Sequence, residues 1–267
     1  MMGSKKIIGV FAFLLALSLA VSTTAQPAKH LQLYTIHVKS GAEGAFTAYM
    51  KKIVEAANET GAPQGWGTGQ GVLGTAGTNF YVFVGFDKWG ERDAWNQVPE
   101  MLTKAFGQDE AQKIGKMGGD AMWGFETRVF DLDADRSWNI DSPGVGRAPF
   151  LQMLIGKVKP DMVMEYQSVV SELKEAQIKA GATRPAIRRT SRFGPSFEFY
   201  YATPFQTWGD WDDSTSNFWA NVAKAKGENE AVHLRSRLLS CYEEREIFVI
   251  QILPELNRTA PESTSNE

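Results

Sequence analysis

The sequence predicts an α+β protein in which one β-α-β-β-α-β unit occurs twice in tandem. Three observations predict it. Sliding the chain by 120 residues lays 31–62 on 151–182 without a gap, with eight of the 32 positions identical, among them Val38/Val158, Lys39/Lys159 and Gly61/Gly181. Each copy then changes its apolar period in the same order, from two to about 3.6 and back. Glycine and proline punctuate both copies at matching places, and after one deletion Phe80-Tyr81 and Trp89-Gly90 meet Phe199-Tyr200 and Trp208-Gly209.

In order along the chain, residues 31–39 alternate around β-branched and aromatic side chains and read as a strand. Ser40-Gly-Ala-Glu43 reads as a capping box. The helix behind it carries Phe46, Tyr49, Met50, Ile53 and Ala57 at helical spacing and stops at Gly61. A hairpin follows over 65–73 and 79–86, then one or two helices over 91–121, then a strand over 124–132. In the second copy Pro160 and Asp161 open a helix whose face is Met162, Tyr166, Val169, Val170 and Leu173, ending at Gly181. Residues 187–193 and 197–205 make the hairpin, 210–240 the helical stretch and 244–253 the last strand. The order is that of a split βαβ, or ferredoxin-like, module. The modules run from 26 to 132 and from 150 to 254, joined by a linker at 133–149 rich in Asp, Ser, Pro and Gly.

The ends read differently. Lys5 and Lys6, an apolar run over 7–21 and the small residues Ser22, Thr23, Thr24 and Ala25 form a secretory signal peptide over 1–25, cleaved before Gln26. An apolar run of 15 residues falls short of the roughly 20 that cross a bilayer, so a soluble periplasmic or secreted product is expected, with no membrane partner after cleavage. Residues 255–267 are expected to be a disordered tail. The lone Cys241 excludes an internal disulfide and reads as a small core residue. With 28 Lys+Arg against 31 Asp+Glu, nucleic acid is not an expected partner, while homo-oligomers stay open.

Two such modules, the opening Tyr34-x-Ile36-x-Val38-Lys39 and the Trp-Gly after the third strand resemble the dimeric α/β-barrel superfamily, and within it NIPSNAP-like and antibiotic-biosynthesis-monooxygenase-like proteins, over about residues 31–254. The resemblance implies two modules packed sheet to sheet around a cavity. It also implies activities that range from cofactor-free oxygenation to haem binding or degradation, or no assigned activity. The Asn, Trp and His set of haem-degrading members has no match by position, and no catalytic residue is carried over.

Other motifs are weak. Gly69-Gln-Gly71-Val-Leu-Gly74 fits a dinucleotide fingerprint but leads into a strand, so it reads as a glycine-rich hairpin. Asp131, Asp133 and Asp135 start like a calcium loop, yet Arg136 stands where glycine is needed. His30, His37 and His233 form no zinc pattern; His233 is a helix-surface residue or, as the resemblance would allow, an axial haem ligand. Arg184, Arg188, Arg189 and Arg192 read as an anion site or as partners of Glu243, Glu244 and Glu246 on the last strand.

Strand parity assigns faces. Tyr34, Ile36 and Val38 cover the helices, which leaves Leu33, Thr35 and His37, and Met153, Ile155 and Lys157, on the open side. The candidate cavity set is His37, Tyr81 and Arg128 from one half and Lys157, Tyr200 and Arg245 from the other. A ligand site and a packed interface in which these groups satisfy one another both remain open. The expected function is an exported protein binding a small molecule between the modules, with no resident cofactor or metal. The alternatives are a cofactor-independent or haem-dependent oxygenase and a structural or interaction protein whose barrel is filled.

Overall fold

A computed structural model describes residues 27–142 and 147–260; the signal segment, 143–146 of the linker and 261–267 lie outside the described residues. The first module comprises β1 (His30–Val38), α1 (Glu43–Thr60), β2 (Gly67–Leu73), β3 (Thr78–Phe86), a 3-10 helix (Trp89–Gln97), α2 (Val98–Phe106), α3 (Gln108–Ala121) and β4 (Met122–Leu132). The second repeats it as β5 (Phe150–Val158), α4 (Val163–Ala180), β6 (Ile187–Phe193), β7 (Glu198–Phe205), α5 (Trp208–Lys226), α6 (Glu228–Cys241) and β8 (Tyr242–Ile252).

All eight strands form one closed barrel in the order β1-β3-β2-β8-β5-β7-β6-β4. Every pairing is antiparallel, so β1 and β5 run the same way and the two modules are related about the barrel axis. Closure removes the exposed edges that each four-stranded sheet would present. The joins are β2 on β8 and β4 on β6, and each contains a register shift. Glycine makes the first join possible. A Cβ on Gly69 would stand 2.2 Å from Ile250 Cγ2, and Gly74, with φ +76°, lies against the backbone of Ile247 and Phe248. Close approach of β8 explains Gly69 and Gly74 of the G-x-G-x-x-G pattern, while a Cβ on Gly71 would meet the Thr75 side chain of the same hairpin.

Parity holds as expected. Val38, Phe80, Val82 and Val84 pack with Phe46, Met50 and Ile53 of α1, with Tyr34 and Ile36 beside them. Leu33, Tyr81, Phe130, Met153, Ile155, Tyr200, Phe248 and Ile250 fill the inside of the barrel. Burying each of the larger apolar side chains contributes about 1.5–3 kcal/mol. Trp89 lies 5.2 Å from Phe86 and Trp208 lies 5.9 Å from Phe205, so the paired tryptophans close equivalent ends of the two modules.

Three local expectations are corrected. Ser40 does not cap α1: Ala42 occupies the N-cap position without a side-chain bond, because Gly41 turns the chain at φ +81°, and Glu43 accepts from Thr78 Oγ1 instead. A capping box occurs at α5, between Thr207 and Asp210. The tail is ordered further than expected, since Glu255–Arg258 crosses to the first module. There Trp66 donates from Nε1 to the Leu256 carbonyl, and buried Arg258 donates to the Ala57, Ala62 and Gln64 carbonyls at the end of α1. The start of the linker does the same for the other module: Trp138 bridges Ala186, and the Asp133 amide donates to the Arg188 carbonyl.

Candidate functional site

β1 and β5 end at the same mouth of the barrel, and the inward positions there alternate between the modules. Register sets His37 against Asn79 and Gly124, and Thr35 against Tyr81 and Glu126. On the other side Lys157 faces Glu198 and Glu244, and Ile155 faces Tyr200 and Glu246. A β-bulge at the start of β4 and of β8 turns Trp123 and Glu243 toward the same mouth.

The polar groups form a connected network. Arg128 reaches Glu126 with Nη2 and Glu198 with Nε, each at 3.1 Å. His37 Nδ1 lies 2.8 Å from Asn79 Oδ1, which makes it the donor, and Nε2 lies 3.5 Å from Glu126. The indole of Trp123 stacks on His37 at 4.4 Å. Lys157 is held by Glu243 at 3.0 Å. Glu198 is only 7% exposed, and burial raises its carboxyl above the ordinary glutamate range against the opposing pull of Arg128. Burial likewise pushes the Tyr81 phenol up to about 12 and the Tyr200 phenol higher still. Beneath this layer Leu33, Phe130, Met153 and Ile250 are fully buried, and Tyr81 stacks on Phe248 at 5.1 Å. The barrel centre is therefore packed. Two surface pockets lie outside it, an open one of about 450 Å³ on α3 and one of about 20 Å³ beside Trp66 and Met101.

Of the six candidate residues, the structure brings His37, Tyr81, Arg128, Lys157 and Tyr200 to the inside of the barrel, Tyr200 as part of its packed floor. Arg245 is corrected: it pairs with Gly156 on the outward parity of β8 and is exposed. The inward counterparts of Glu126 and Arg128 are Glu246 and Phe248, found by holding the offset of 120 through the last strand. Trp123 and Glu246 were missed because bulges at the start of β4 and β8 shift the alternation there; Asn79 shares the inward parity of Tyr81 and was passed over although the period of two places it inside. The arginine cluster also pairs differently, since β6 adjoins β4 and β7 but not β8. Arg188 lies 3.4 Å from Asp133 and Arg192 lies 2.5 Å from Asp131, while Arg189 donates to the Ala28 and Lys29 carbonyls. Those aspartates are thus engaged, and no group of three metal-ligating side chains occurs among the described residues.

Haem does not fit the residues present. His233 is exposed on α6, His30 is bound to Asp131 at 2.6 Å between Phe86 and Trp89, and His37 stands at the mouth above a packed centre.

No protein-family model and no curated protein matches the sequence. Solved structures do. An anthrone oxidase-like protein aligns with TM-score 0.52 at 13% identity over 90% of this chain and 97% of its own. A monooxygenase candidate from Fusobacterium nucleatum aligns with TM-score 0.50 at 13% identity over 86% and 93%. A chlorite dismutase from Candidatus Nitrospira defluvii gives 0.50 at 8% over 86% and 92%. The fold is the dimeric α/β-barrel. In this dimeric α/β-barrel one chain supplies both modules, so the mouth is not constrained to be symmetric. The positions of Arg128 and Phe248 show the difference.

Proposed function

We propose that this protein binds a small molecule at the polar mouth of its barrel, outside the cytoplasm, and not in a central cavity. The observation that carries the reading is the juxtaposition, from both modules, of Arg128, His37, Lys157 and the buried Glu198 above an apolar floor. Few converging polar groups on an apolar base are the usual composition of a small-molecule site. A fragment screen by protein NMR tests it. Shifts are expected to cluster in residues 35–37, 79–81, 123–128, 155–157, 198–200 and 243–246; hits confined to the outer helices, or no hits, would refute the reading. Export rests on the composition of residues 1–25, and intact mass of secreted or periplasmic protein is expected to give Gln26 as the first residue. A retained Met1 would refute that part.

A second reading, a cofactor-independent oxygenase of the antibiotic-biosynthesis-monooxygenase-like type, is favoured by Glu198. A carboxyl whose pKa is raised by burial is suited to take a proton from a bound substrate. Oxygen uptake with hydroxylated polycyclic substrates, lost in Glu198→Gln, would support it; uptake indistinguishable from buffer across that class would not.

A further inference from the structure

We infer that the mouth selects small organic cations, an ammonium or guanidinium group on an apolar or aromatic body, and this rests on the small-molecule reading above. The asymmetry between the modules carries the inference. In the first half Glu126 is paired with Arg128 at 3.1 Å and lies 3.5 Å from His37 Nε2. In the second, the place of Arg128 is taken by Phe248, and Lys157 is committed to Glu243. Glu244 and Glu246, both exposed, form no salt bridge among the described residues; Glu244 faces Lys157 across the strand pair, but that ammonium is bound to Glu243. Five glutamates (Glu126, Glu198, Glu243, Glu244 and Glu246) thus stand against Arg128 and Lys157.

A second observation is independent of this charge count. The Glu198 side chain is 8% exposed, and although Arg128 Nε lies 3.1 Å from its Oε2, that oxygen accepts no hydrogen bond. A buried carboxylate oxygen without a donor is a group that a ligand N–H would satisfy. The apolar part of such a ligand has a wall to lie on: Trp123 is 68% exposed, with one face on His37 and the other free of any ring partner among the described residues. An anionic ligand would meet the surplus of carboxylates, and a metal ion would lack a ligand group of three among the described residues.

The test uses the whole mature chain and three probes of one shape, phenethylammonium, 3-phenylpropionate and 3-phenylpropanol, titrated by NMR. Phenethylammonium is expected to shift resonances of the mouth, to weaken as salt is raised, and to lose about tenfold in affinity in Glu244→Gln/Glu246→Gln. Trp123→Ala is expected to weaken phenethylammonium and leave the effect of salt in place. If the propionate or the alcohol binds the mouth as well as the cation does, cation selection is wrong while the small-molecule reading stands. If the cation binds equally well in the double variant, the assignment to Glu244 and Glu246 is wrong. If none of the three shifts the mouth, both readings fall.

Discussion

Glu198 shows how one side chain couples burial to solution conditions. Its folded pKa is raised above the ordinary value of 4.5, so the folded chain binds its proton more tightly than the unfolded chain does. The stability it contributes is fully present below 4.5 and is lost as pH rises through the raised folded value. Glu198→Gln is thus expected to be more stable than the wild type near neutral pH, with the advantage vanishing as pH falls toward 4.5. Urea unfolding at a series of pH values checks this, and parallel curves for the two proteins would contradict it. Gly69 is the steric counterpart. Gly69→Ala puts a methyl against Ile250 Cγ2 and 3.0 Å from the Gln251 carbonyl oxygen, and is expected to cost about 1–3 kcal/mol. Gly44→Ala, where nothing lies within 4 Å, serves as the control for the same measurement.

At the scale of elements, the strands and helices were legible because their faces are written in simple periods. α1 and α4 have 18 residues each and end at Gly61 and Gly181, both left-handed, as the spacing predicts. The crossing segments were not legible, because 255–260 is polar in composition and its burial depends on carbonyls supplied by another element. Arg258→Ala would leave the Ala57, Ala62 and Gln64 carbonyls without that donor and is expected to cost about 2–3 kcal/mol. Chemical unfolding measures the loss, with Arg258→Lys expected to fall between; a loss no larger than that of an exposed residue would show the segment to be dispensable.

For the whole molecule, stability and the mouth both depend on closing two four-stranded sheets through β2 with β8 and β4 with β6. Neither module alone hides those edges, and neither keeps the packing of Tyr81 on Phe248 or Phe130 on Tyr200. Residues 27–142 or 147–260 expressed separately are therefore expected to associate or aggregate, while the intact chain unfolds in a single transition. Light scattering and calorimetry check the pair. A stable monomeric half would mean that the barrel interior is not the shared core described above.

The sequence by itself determined the duplication, the module order and the inward parity of β1, β3, β5 and β7, because a repeat of 120 residues and a side-chain period of two are local properties. It placed His37, Tyr81 and Lys157 inside for that reason. Only the tertiary structure decided that the centre is packed, that Arg245 faces outward, and that Arg128 serves Glu198 of the other module. Bulges break the alternation at β4 and β8. The Arg128–Glu198 ion pair joins residues about 70 positions apart, a relation that no local pattern encodes and that exists only once the edges have closed.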